Sequence, residues 1–295
     1  MLMLPISSLN DNPRDFDKLF DIWNRVEKYI KTTRKPEIKF NFSRCYFLRH
    51  NAVAFLGGLV RYIEHHGGTP VILWDTINWS IRTNLQKNGF EGTFGGNNQS
   101  THGNTVPYRE YQVSAHKDDV INYLKSDWLG PGWVHVSKML ENAIVSRTWE
   151  IYWNACEHSK SPIGIYSCGQ RYPRKKELNL TVADFGVGIP DNVQKHLGKH
   201  KMPADQALQW AFQIGNTTTK ADFGRGLGLD LLKEFVSKND GKIEVYSHNG
   251  YAIISKRIET YECRQSYFPG TLINIKFRCD NKYYCFASEN KGKLF

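Results

Sequence analysis

A mixed α/β (α+β) protein built from two units is the fold class that the sequence predicts, on three observations. Strand-like and helix-like runs alternate through the first hundred residues. From about residue 133 the rhythm changes to one long helical run and then two strand-like runs. A glycine-rich segment that opens another helix is followed by three more strand-like runs near the end. Alternation of the first kind implies a small α/β unit with at least one parallel pair, and the second pattern implies a sheet covered by helices.

Residues 14–33 place Phe16, Leu19, Phe20, Ile22, Trp23, Val26 and Ile30 at helical spacing, so an amphipathic helix is expected there, ended by Pro36. "EIKFNF" alternates like a strand. "FLRHNAVAFLGGLVRYIEHH" reads as a helix tolerating two glycines, "TPVILW" as a short strand, and "INWSIRTNLQKNGF" as a further helix closed by Gly89. Residues 91–106 are rich in Gly, Asn, Ser and Thr and read as a loop. "VPYREYQVS" reads as a strand returning to the first sheet, and "DDVINYLKSDWLG" as a short helix. "GPG" at 130–132 sets the boundary between a unit over 1–130 and a unit over 131–295. In the second unit the long helix spans roughly 133–158, and "IGIYSC" and "ELNLTVADF" are strands. The polar stretch 190–223 precedes the glycine-rich helix, and "GKIEVYS", "YAIISKR" and "TLINIKF" are three closing strands.

Composition bounds the function. The chain has 295 residues, 40% hydrophobic and 23% charged, enough for two domains at roughly 100–200 residues each. No apolar run approaches the ~18 residues that span a bilayer. The start lacks a basic leader, so a cytoplasmic protein with no membrane segment is expected. Six scattered cysteines without a C-x-x-C pair argue for reduced thiols over a metal site or a disulfide framework. The net charge of +10 admits nucleic acid as a partner without requiring it, since the basic residues are spread along the chain apart from "RYPRKK" and "KHLGKHK".

Three segments carry chemistry. In "WEIYWNACEHS", Glu150, Asn154 and Glu157/His158 recur at three- and four-residue spacing and share one helix face. A carboxylate one turn from a neutral amide oxygen suits Mg²⁺ held together with phosphates and water, although a solvated polar face gives the same pattern. Asp184 closes an apolar strand in "LTVADFGVGIP", where a carboxylate can accept from an exocyclic amine such as adenine's. Gly186 and Gly188 after it would clear room for a flat ligand, or simply form a strand-end turn. "NTTTKADFGRGLGLDLL" gathers hydroxyls, an ammonium and glycines ahead of a helix N-terminus, which together suit a polyphosphate. Neither a Walker A nor a dinucleotide glycine pattern is present. The two D-F-G tripeptides lack the H-R-D and V-A-I-K companions of a protein kinase.

The order of these segments, E-x-x-x-N on a helix, D-x-G-x-G after a strand, T-T-K and G-x-G-x-G-L opening a helix, then "PGTLINI", resembles the GHKL ATPases over roughly residues 133–280. This histidine-kinase-like (HATPase) family covers gyrase-type topoisomerases, mismatch-repair MutL proteins, heat-shock chaperones, histidine kinases and anti-sigma serine kinases. The resemblance implies a Bergerat fold for 131–295: a two-layer sandwich of a mixed, largely antiparallel sheet and helices, with ATP between the helices and a flexible lid over 190–223. Carried over, it makes Asn154 the Mg²⁺ ligand and Glu150 the general base of hydrolysis. His158 lines the site on the same helix. Asp184 reads adenine, flanked by Gly186, Gly188 and Ile189. Thr218, Thr219 and Lys220 belong to the lid, and Gly224, Arg225, Gly226, Leu227, Gly228 and Leu229 to the phosphate loop. Thr271 supports Asp184.

Histidine kinases usually carry Asn where this chain has Glu150, and no phospho-acceptor histidine helix precedes the long helix, since His135 lies in "WVHVSKML". The expected activity is therefore Mg²⁺-dependent ATP hydrolysis, with nucleotide state acting on a protein partner. An anti-sigma-type serine/threonine kinase is the second reading, and a nucleic-acid-associated ATPase the third. By analogy with the family, the resemblance extends to a nucleotide-dependent homodimer. Residues 1–130 look like a STAS-like regulatory domain. In such domains a phospho-acceptor Ser or Thr follows a strand, and Ser43 lies at about that place, though it reads better as a structural loop residue.

Overall fold

The computed structural model describes all residues except 11, 97–102, 113–116, 200, 214–227 and 293–295, and the side chains of 228, 229 and 290–292 are likewise left aside. Two sheets organise the molecule. β1 (Leu2–Leu9), β2 (Glu37–Leu48) and β3 (Thr69–Ile72) form a parallel sheet in that order, as alternation of strand and helix requires. The intervening helices are α1 (Pro13–Thr32) and α2 (His50–His65). α1 starts where the Asn12 side chain accepts from Asp15 N at 3.2 Å, a cap that satisfies one orphan donor. Then come α3 (Trp79–Lys87), the single turn α4 (Phe90–Thr93) and β4 (Thr105–Tyr111). α5 (Lys117–Tyr123) runs on as a π-helical turn to Leu129.

The second sheet is antiparallel at every pairing, in the order β4-β6-β7-β9-β8. It contains β6 (Ile165–Tyr172), β7 (Glu177–Asp184), β8 (Lys242–Ser255) and β9 (Glu259–Arg278). The two-residue strands β5 (His135–Val136) and β10 (Tyr283–Tyr284) pair beside it. α6 (Lys138–His158), α8 (Ala204–Ala211) and α9 (Gly228–Lys238) cover one face, and α7 (Gly188–Leu197) follows β7. This is a Bergerat-type arrangement of an antiparallel sheet and helices. No helix among the described residues is long and apolar enough to cross a membrane.

Alternation along the strands divides the core. Leu178, Leu180 and Val182 face α6 and α9, while Ala183 and Phe185 face the opposite way, with Tyr166, Tyr246 and Phe268. That opposite face is covered by α1 and α2, so the sheet carries helices on both sides. α2 lies between the two sheets, which is why it is apolar nearly all round. Its glycine pair has a steric cause. A Cβ at Gly57 would meet the Tyr108 ring and hydroxyl, and one at Gly58 would lie 2.1 Å from Phe185.

Four expectations change. "VPYREYQVS" forms β4 at the edge of the second sheet, paired with β6, and does not return to the first. "GKIEVYS" and "YAIISKR" are one strand, because His248 takes a left-handed φ of 56° and the chain passes through a bulge in place of a turn. The polar stretch after residue 190 contains α7 and α8, whose Val193, Ala204, Ala207 and Leu208 are buried. Ser43 lies within β2 and not at its end; it is exposed, and its backbone N–H donates to Asn41 Oδ1 at 2.9 Å.

Candidate nucleotide site

Asp184 ends β7 on the face that looks toward α6, and it is 4% exposed. Across the sheet its partner on β9 is Thr271, which hydrogen-bonds to the carboxylate from backbone and hydroxyl. Gly186 N donates to Asp184 Oδ1 at 2.9 Å. Burial pushes the Asp184 carboxyl up to about 7 against the opposing pull of these donors. A carboxylate so poised sits where a buried polar ligand group would offset its desolvation.

Beneath it Ser247, at the bulge of β8, ties three segments together. Its Oγ accepts from Ile189 N at 2.9 Å, donates to Gly270 O at 2.9 Å and lies 3.2 Å from Thr271 Oγ1. His248 Nε2 is 2.8 Å from Val187 O. Ser247 escaped the reading of the sequence, although a polar residue closing the apolar run "KIEVYS" opposite "PGT" was a usable signal.

The glycines after Asp184 are explained by the protein's own backbone. A Cβ on Gly186 would stand 1.9 Å from Ser159 O, and Gly188 has φ 73° with Pro269 O only 2.6 Å from its Cβ position. The turn is thereby stitched to the end of α6: Val187 N donates to Ser159 O at 2.6 Å, and Asn192 Nδ2 donates to His158 O at 3.0 Å. His158 is half-buried, with Nε2 3.5 Å from Glu157 Oε2. Moving back along α6, Asn154 is exposed and Glu150 half-exposed. Arg147 Nη1 donates to Glu150 Oε1 at 2.5 Å. Glu150 and His158 are thus separated by about 12 Å along the helix axis.

The structure therefore brings Asp184, Gly186, Gly188, Ile189 and Thr271 together at the C-terminal end of α6, with Asn154 and Glu150 one and two turns behind. Thr218, Thr219, Lys220, Gly224, Arg225, Gly226 and Leu227 lie outside the described residues. Gly228 and Leu229 open α9, where the glycine-rich segment was expected to enter a helix. The donor set fits Mg²⁺: an exposed amide oxygen on Asn154 with a carboxylate a turn away is what that ion takes alongside phosphates and water.

Residues 136–276 match the family model described as "Histidine kinase-, DNA gyrase B-, and HSP90-like ATPase". Over 75 residues, a quarter of this chain, it is 29% identical to hybrid signal transduction histidine kinase D of Dictyostelium discoideum, of which that segment is 4%. Over 82 residues, 28% of this chain, it is 30% identical to sensor histidine kinase TmoS of Ectopseudomonas mendocina, 7% of that protein. The chain thus matches only a small part of either relative's length. The match and the fold assign to residues 136–276, just under half of the chain, a domain similar to the ATPase domain of histidine kinases, gyrase B and HSP90, and with it ATP binding.

Proposed function

We propose that the domain over residues 136–276 binds Mg-ATP with the base at Asp184 and the phosphates toward Asn154 and the start of α9, and hydrolyses it with Glu150 as general base. The observation that carries this reading is the buried Asp184 carboxylate, held by Thr271 and Gly186 beside the end of a helix that bears Asn154 and Glu150. Adenine's exocyclic amine would donate to Asp184, and Ile189 would cover the base. Asn154 would hold Mg²⁺ through its amide oxygen; the ion would offset phosphate charge. Glu150 would take the proton of the attacking water, and its contact with Arg147 would hold the carboxylate in place. Nucleotide state is read out through the 190–223 segment to a protein partner. The amino-terminal segment before β4, read as a STAS-like domain, would regulate it in a cytoplasmic assembly.

Incubation with ATP labelled at the γ-phosphate tests this. Free labelled phosphate from the wild type supports hydrolysis, and label retained on protein would replace it with the kinase reading. Glu150→Gln is expected to bind Mg-ATP as the wild type does while turnover falls on the order of 10²–10⁴-fold. Turnover at the wild-type rate would return Glu150 to the role of a solvated helix residue.

A further inference from the structure

The end of the second sheet remote from Asp184 carries a concentration of charge that the nucleotide site does not use. The turn between β6 and β7 exposes Arg174, Lys175 and Lys176, and Arg278 stands beside it, because Glu177 and Arg278 are register partners. Cys279 N donates to Lys176 O at 2.8 Å, which brings the next segment, with exposed Lys282 and the 66% exposed ring of Tyr283, onto the same end. Of the nearby acids, Glu177 and Asp240 are paired with cations, whereas Asp280 is held by neutral donors only and keeps its charge. Glu177 takes Arg49 at 3.2 Å and Lys276 at 3.1 Å, and Asp280 accepts from Tyr284 Oη at 2.9 Å and Lys282 N at 3.2 Å. Asp240 lies 3.5 Å from Lys256. Among the described residues no acid forms an ion pair with Arg174, Lys175, Lys176, Arg278 or Lys282.

Three cations on the turn and two beside it, set against one carboxylate without an ion-pair partner, leave this end of the sheet with a positive charge that a partner of opposite sign would offset. That partner is not the ATP bound at Asp184. The eight residues of β7 put roughly 24 Å between Glu177 and Asp184. A protein partner would ask for an apolar centre, whereas this surface offers cations and an exposed tyrosine. A cluster of exposed cations attracts the phosphates of a phosphodiester backbone, and an exposed tyrosine beside them can stack on an unpaired base. We propose that this end of the sheet, Arg174–Lys176 with Arg278 and Lys282–Tyr283, binds the sugar–phosphate backbone of a nucleic acid.

Fluorescence anisotropy with a labelled single-stranded DNA of about 20 nucleotides and with its duplex tests the proposal, titrated over a range of salt. The wild-type chain is expected to bind at least one of the two, with affinity falling steeply as salt rises. R174A/K175A should lose at least about tenfold in affinity near 0.1 M salt and about two units of log–log salt slope. It should keep wild-type thermal stability and nucleotide binding, since both side chains are exposed and far from Asp184. Preference for the single strand would assign Tyr283 a stacking role, and Tyr283→Ala would then remove that preference. Binding to neither DNA overturns the proposal, as does affinity unchanged in R174A/K175A. Equal or tighter binding to poly-glutamate, or to phosphatidylserine vesicles, would overturn it in favour of an acidic protein or a membrane surface.

Discussion

Burial lifts the Asp184 carboxyl to about 7, well above its value in an unfolded chain. Between those two pH values the folded protein holds a proton that the unfolded chain has lost. This contribution to stability is therefore present in acid and drains away as pH rises from about 4 to about 7. Asp184→Asn should flatten that part of a stability-versus-pH curve followed by thermal melting. An amine donor favours the ionised carboxylate, so ATP binding near neutral pH should release protons. Calorimetry in buffers of differing ionisation enthalpy measures that release, and the Asn variant should show less of it. The same substitution should weaken ATP roughly tenfold to a hundredfold, the worth of one hydrogen bond to a charged acceptor. Equal wild-type affinity for ATP and GTP would remove Asp184 from base recognition.

Among the elements, α2 shows how little room the interior leaves. Gly58 abuts Phe185, whose ring also meets Trp23 at 5.5 Å, Phe55 at 5.4 Å and Phe268 at 5.2 Å. Gly58→Val should destabilise the protein by at least about 1–3 kcal/mol through overpacking, despite the gain in side chain over glycine. Because Phe185 adjoins Asp184, the variant should also weaken ATP; a melting curve and a binding isotherm check both effects. The run of α1 was legible because its period is local and its cap, Asn12, stands directly before it. β1 was not, and Pro5 is tolerated there because β1 is an edge strand; Leu4 and Ile6 alternate inward, and a register shift then brings Leu9 in. Asp184 and the Asn154 face were singled out from local pattern alone. The pairing of Asp184 with Thr271 was reached only through the family resemblance and the cradle made by Ser247 not at all, because both arise from strands far apart in sequence. Gly186 and Gly188 were found, but their reason is Ser159 and Pro269, neither visible without the fold.

Across the whole molecule, aromatic side chains of α1 bind the amino-terminal segment to the last strands of the second sheet. Phe16 stacks on Tyr246 at 4.2 Å and Phe20 on Phe268 at 5.3 Å, while Arg264 Nη2 meets Asp17 Oδ2 at 2.8 Å. One cooperative unfolding transition is therefore expected by calorimetry, and Phe20→Ala should lower its midpoint on the order of 5–15 °C as a buried aromatic is lost. Two separate transitions, with only one moved, would show that the layers melt independently. The Asp17–Arg264 contact spans 247 positions of sequence. At synthesis rates of roughly 5–20 residues per second, the apolar stripe of α1 leaves the ribosome about 12–50 s before the strand that covers it has been made. For most of that interval Phe16 and Phe20 lack their native partners Tyr246 and Phe268 on the second sheet. The nascent chain should thus depend on holding chaperones more than its finished stability suggests, and its yield in a cell should follow their supply.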